Sequence, residues 1–111
     1  MTVTVANIIP AKQAEATATT QYTAINCATI VDKFTVTNTT GTAATFTAYI
    51  IAPAGIPTAG NTIVSAKSIA PGETYLCPEL VGQIIEANYF IQTVAGTPSA
   101  LTIAASGREV T

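Results

Sequence analysis

The stretch Lys33-Phe34-Thr35-Val36-Thr37-Asn38-Thr39-Thr40-Gly41, with Ala44-Thr45-Phe46-Thr47-Ala48-Tyr49-Ile50-Ile51 shortly after it, alternates side-chain character almost residue by residue. A period of two belongs to extended chain, whose side chains point to opposite faces in turn. Phe34 and Val36 share one face, against Lys33, Thr35 and Thr37 on the other. Ala44, Phe46, Ala48 and Ile50 do the same against Thr45, Thr47 and Tyr49. Residues 38–41 supply turn chemistry between the runs, with Gly41 free to take a positive φ. The pattern predicts a hairpin over about residues 31–51.

The same alternation recurs on either side. Residues 14–23 alternate small apolar positions with Glu15, Thr17, Thr19 and Gln21. Residues 62–69 form a strand closed by Pro71-Gly72, a dipeptide suited to the centre of a type II turn. Residues 74–77, 89–94 and 100–105 read as further strands, the last two separated by the turn Gly96-Thr97-Pro98-Ser99. Residues 53–61 hold two prolines and two glycines, which break any ladder, and form a long loop. In residues 78–86, Leu80, Val81, Ile84 and Ile85 recur at helical spacing with Gly82 among them, so one short helix and an irregular crossing both fit. Residues 1–13 stand apart as an N-terminal arm or a first strand, ahead of a domain over residues 14–111. Seven or eight short strands with turns about every ten residues predict an all-β chain. The architecture is a single antiparallel β-sandwich, jelly-roll-like, with an Ig-like order as the alternative.

Composition limits what such a sandwich does. The 111 residues include four Lys and Arg, six Asp and Glu, and no histidine. By mass scaling the folded chain exposes roughly 5,700 Å². The surface is therefore rich in Thr, Ala and Ser and close to neutral. Lys12, Lys33, Lys67 and Arg108 are scattered rather than clustered, which argues against nucleic acid. No run of about 20 apolar residues is present to span a membrane. The first residues lack the basic and apolar regions of a signal peptide, so synthesis in a cytoplasm is expected.

Without histidine, a histidine triad and a histidine metal site are excluded. Glu73, Glu79 and Glu86 are the only regional group of carboxylates, and their spacing keeps no common strand face. They read as solvated surface rather than an acid/base pair. Asp32-Lys33 and Arg108-Glu109 read as exposed charges, and Lys33 and Lys67 as surface lysines or guards of sheet edges. Cys27 and Cys77 read as small buried apolar residues, with a disulfide as the minor alternative. No metal, nucleotide or other cofactor is expected. Tyr22, Tyr49, Tyr75 and Tyr89 fit core and interface packing better than a sugar-stacking groove. An enzyme is not expected.

The segments Phe34-Thr-Val-Thr-Asn-Thr-Thr-Gly41, Thr47-Ala-Tyr-Ile-Ile-Ala-Pro-Ala-Gly55, the run from Asn61 through Lys67, Pro71-Gly72 and Tyr75 to Gly82, and the closing Ala105-Ser-Gly-Arg-Glu-Val-Thr111 resemble small virion proteins of tailed phages. More narrowly, essentially the whole chain is similar in length and order to the capsid decoration, or staple, proteins of epsilon15-like podoviruses. These are packing patterns, and they carry no catalytic or ligand motif. The resemblance implies a jelly-roll-like protein on the outer surface of an icosahedral head. It also implies the major capsid protein as partner, self-association as a homodimer, and stapling of neighbouring capsid subunits.

The residues expected to make the contacts are Val3, Val5, Ile8 and Ile9 of the N-terminal segment and Ile56 and Pro57 of the long loop. All are apolar and hard to assign to the core, although Ile8 and Ile9 filling their own core fits equally. Two rival functions remain: a carbohydrate-binding head-fibre or tail-associated β module, and a low-copy neck or tail completion protein.

Overall fold

The computed structural model describes all residues from Met1 to Thr111. Nine strands follow in order: β1 (Val3–Gln13), β2 (Thr19–Thr23), β3 (Ala28–Asn38), β4 (Ala44–Ile51), β5 (Thr62–Ile69), β6 (Thr74–Tyr75), β7 (Ile84–Ile85), β8 (Phe90–Ala95) and β9 (Leu101–Val110). A single 3₁₀ turn, Ala59–Asn61, precedes β5. One sheet has the order β1-β9-β3-β6, with β7 also paired to β3, and the other has the order β2-β8-β4-β5. All pairings are antiparallel.

Among consecutive strands only β4 and β5 pair; every other step in the chain leaves its strand's neighbour unpaired. With β7 set aside as a two-residue addition to the edge, the remaining eight strands read 1-8-3-6 in one sheet and 2-7-4-5 in the other. That is the order of a jelly roll and not of an Ig domain. The expected sandwich is present, and its topology is the rolled one.

The expected hairpin over residues 31–51 is absent. β3 and β4 lie in opposite sheets, and the chain between them arches across the sandwich. Phe34 and Phe46, fully buried, meet from the two sheets with ring centroids 6.0 Å apart. Alternation requires each strand to have an inner face, but it is blind to whether two inner faces lie side by side or opposite. The arch is held by Asn38 rather than by glycine: its amide oxygen accepts from Thr40 N at 2.9 Å and Thr40 Oγ1 at 2.7 Å. Gly41 does not take a positive φ. Gly72 does, at +75°, and Glu73 N donates to Ala70 O at 3.0 Å, which completes the type II turn.

Residues 3–13 are paired into their own domain as edge strand β1, so they are no free arm. The second strand is shorter than the alternation of residues 14–23 suggests, because 14–18 cross from one sheet to the other. Residues 78–86 form the irregular crossing: Leu80 N and Val81 N both donate to Cys77 O, Gly82 exits with φ +88°, and β7 follows. Cys27 and Cys77 are buried free thiols.

The core lies between the sheets, filled by Ile9, Val31, Phe34, Val36, Phe46, Ile69, Leu80, Ile85, Ile91, Leu101 and Ile103. The central strand β9 keeps a strict alternation, burying residues 101, 103, 105 and 107. Both its neighbours break theirs at the same level. β1 passes from Ala6 opposite Gly107 to Ile9 opposite Ala105, three residues against two. β3 passes from Val31 opposite Gly107 to Lys33 opposite Ser106, two against one. Each step inserts one residue, a β-bulge, which reverses the facing of the strand beyond it.

Candidate interaction face

Most of the large apolar side chains left exposed gather at one end of the sandwich. The register sets Val3 opposite Val110 and Val110 opposite Ala28. One row further in, Val5 faces Arg108, Arg108 faces Ile30, and Ile30 faces Ile84. Directly opposed residues share a face, so these two rows lie together on the outer face of the β1-β9-β3 sheet. Val5 is 83% exposed and Ile84 57%. Val81, before the glycine whose N–H bonds Val31 O, adds to the same side. Met1, Ile25 in the β2–β3 turn and Ile56 in the β4–β5 loop are exposed at the same end. There Thr23 and Ile51 both pair with Phe90. The opposite end consists of Thr-, Ser-, Pro- and Gly-rich turns, so the two ends differ in polarity.

Of the six residues expected to make contacts, Val3, Val5 and Ile56 are exposed at this end, and Pro57 is half-buried beside Ile56. Ile8 and Ile9 are corrected. They are 6% and 1% exposed and belong to the core, because the β1 bulge turns two successive side chains inward. Ile25, Ile30, Val81, Ile84 and Val110 were missed. The available signal was a large aliphatic at a turn position, as with Ile25, or beside a breaking glycine, as with Val81.

Arg108, Asp32 and Glu109, the charges within these rows, are tied up. Arg108 forms a forked pair with Asp32, its Nε donating to Oδ1 at 3.1 Å and to Oδ2 at 3.0 Å, and its terminal nitrogen to Oδ1 at 2.9 Å. That carboxylate holds the guanidinium even more firmly protonated than usual. Glu109 is no free surface charge either. Tyr22 reaches over from the other sheet and donates to Glu109 Oε2 at 2.6 Å, while its oxygen lies 2.6 Å from the buried Thr29 hydroxyl. Burial first, and then the Glu109 carboxylate, raise the Tyr22 phenol well above its ordinary range.

No acid/base pair forms among the regional carboxylates. Glu73 caps its own turn by accepting from Ala70 N at 2.8 Å. Glu79 accepts from the Tyr75 hydroxyl, which lowers the carboxyl below its ordinary 4.5. Burial, with Glu79 adding to it, pushes Tyr75 up to about 12. Lys67, on edge strand β5, sits 5.2 Å from the centre of the Tyr75 ring. All four tyrosines are half-buried rather than arrayed on one sheet face. No group of three or more potential metal ligands gathers anywhere in the chain.

No protein-family model matches the chain. No curated protein and no solved structure matches it either.

Proposed function

We propose that this chain is a structural virion protein. It binds the outer surface of an icosahedral phage head through its apolar end and staples neighbouring major capsid subunits, in a role that is not catalytic. The observation that carries the reading is the clustering of Met1, Val3, Val5, Ile25, Ile56, Val81 and Ile84 at one end of a small, nearly uncharged sandwich. Exposed apolar patches of this kind mark interaction surfaces. Ten charges over an accessible surface of 5491 Å² leave little to desolvate on association. A standard interface takes about 800 Å² from each partner, about a seventh of that surface, so one small domain has room for several. Bridging two capsid subunits raises the effective concentration of the second contact. Binding then favours the assembled shell by mass action. The resemblance to decoration proteins of epsilon15-like podoviruses supports the same reading, including pairing of the chain as a homodimer.

The experiment is the copy number of this chain in gradient-purified virions, measured by quantitative mass spectrometry against the major capsid protein. A ratio near one, or a simple fraction of it, is expected. A dozen copies or fewer per particle would move the protein to neck, tail or fibres, and absence from the particle would end the virion reading.

A further inference from the structure

The two bulges that flank β9 build the one cavity in the molecule. It opens on the outer face of the β1-β9-β3 sheet and is lined by Asn7, Lys33, Thr35, Ala104, Ala105 and Ser106. Its walls follow from the register. Asn7 sits within the β1 bulge, between Ala6 and Ile9. Lys33 follows the β3 bulge and lies opposite Ser106. Bulges re-aim side chains that a regular strand would spread apart; here they bring an amide and an ammonium to either side of a hydroxyl. The floor is open because Ala104, which faces outward between Thr35 and the β1 bulge, has no side chain beyond Cβ.

The donors around this cavity are unspent. The two ion pairs of the chain are Lys12–Glu15 and Arg108–Asp32, and Lys67 lies against Tyr75. Lys33 is therefore the one basic side chain without a partner. Asp32, its sequence neighbour, is held by Arg108 and does not neutralise it. The side chains of Asn7 and Ser106 make no hydrogen bond within the chain, and Thr35 Oγ1 makes only a long one of 3.5 Å to Ala104 O.

We infer that this pocket is a carboxylate subsite, in which Lys33 supplies the charge and Asn7 and Ser106 donate hydrogen bonds to the same anion. One positive charge with two neutral donors matches a monoanion with two oxygens. It undercompensates a phosphate dianion, and no second cation is within the lining. The carboxylate belongs to an Asp, a Glu or a chain terminus of a partner polypeptide; that source rests on the shell-binding reading, whereas the chemistry of the pocket does not.

The test is a titration of the full-length ¹⁵N-labelled protein with sodium acetate, followed by NMR against sodium chloride at equal ionic strength. Saturable shifts at Lys33, Ser106 and the Asn7 side-chain amide are expected. The dissociation constant should be about 10 mM, the order provided by one exposed ion pair and two hydrogen bonds. Lys33→Met should weaken acetate binding about tenfold and Asn7→Ala about threefold, each leaving the rest of the spectrum in place. A capped Ala-Glu-Ala peptide that binds more tightly than acetate, while its Gln counterpart does not bind, supports a partner-borne carboxylate. Equal binding of acetate and peptide supports a free small carboxylate as the ligand. Shifts that do not saturate, that persist in Lys33→Met, or that are stronger with inorganic phosphate than with acetate overturn the inference. Particle copy number is read separately, so the two readings fail independently.

Discussion

The side-chain amide of Asn38, at the end of β3, donates to the main-chain oxygen of Ile69, at the end of β5, across 2.9 Å. The same nitrogen donates to Thr42 O at 2.8 Å. Asn38 is completely buried, and its main chain bonds the 70–73 turn: Asn38 N donates to Glu73 O and Asn38 O accepts from Gly72 N. One residue thus ties the first sheet, the arch of residues 39–43 and the 70–73 turn to the edge of the second sheet.

Asn38→Ala removes the side-chain donor to the buried Ile69 carbonyl and the acceptor of the Thr40 N–H, each costing about 1–3 kcal/mol when left unpaired. The expected loss is about 3 kcal/mol in urea denaturation, with Asn38→Asp at neutral pH losing at least as much because a carboxylate has no donor. A loss below about 1 kcal/mol would show that water or a rearranged arch replaces these bonds.

Gly107→Ala probes the double bulge. A Cβ at this position would stand 2.3 Å from Ile30 O, a backbone atom of the central strand β3. The strand has to shift, and a loss of about 2 kcal/mol is expected, read as a lower melting temperature. If the carboxylate pocket depends on the bulges, the same variant should also weaken acetate binding.

The pH profile has a worked sign at each end. Glu15, through Lys12 and then Gln21, and Glu79, through Tyr75, have folded pKa values below their ordinary 4.5. Their contribution is present above that value and is lost as pH falls through the lower folded one; both are exposed, so the acid loss is small. Burial, then Glu79, pushes Cys77 from 9.0 up to about 12, and Tyr75 rises from 10.0 to about 12. Stability is full below the unfolded values and is lost as pH rises from about 9 towards 12. Urea midpoints should be flat from pH 6 to 8 and fall above 9. Cys77→Ala should delay the first part of that alkaline fall.

The apolar end is tested by Val5→Lys and Ile84→Lys, separately and together. Both sites are exposed, so each variant should keep wild-type stability within about 0.5 kcal/mol. Association with capsid shells, measured by co-sedimentation, should fall at least about tenfold in the double variant. In the wild type it should change little between pH 6 and 8 and only weakly with salt; a loss of several decades between low and high salt would count against an apolar interface.

Ile8 and Ile9 show why the facing of β1 is not legible from neighbouring residues alone. In a regular strand two adjacent side chains face opposite ways, so alternation alone does not decide between outward contact and core for this pair. The bulge in β1 buries both, and it exists only in the register against β9, almost a hundred residues later. The same effect hid the first half of β3. It buries residues 29 and 31 but then 34, 36 and 38, and the change of parity at Asp32 disguises one strand of eleven residues as a shorter one beginning at Lys33.

Strand existence, the inner faces of Phe34, Val36, Phe46 and Ala48, the Pro71-Gly72 turn and the scarcity of charge are properties of neighbouring residues, and the sequence by itself determined them. Steric period and turn chemistry act within a few residues. Which strands pair, that β3 and β4 oppose each other rather than pair, and that Asn7 and Lys33 flank Ser106 depend on contacts between distant parts of the chain. Those contacts are selected by how the two sheets close over one core, and only the tertiary structure decided them.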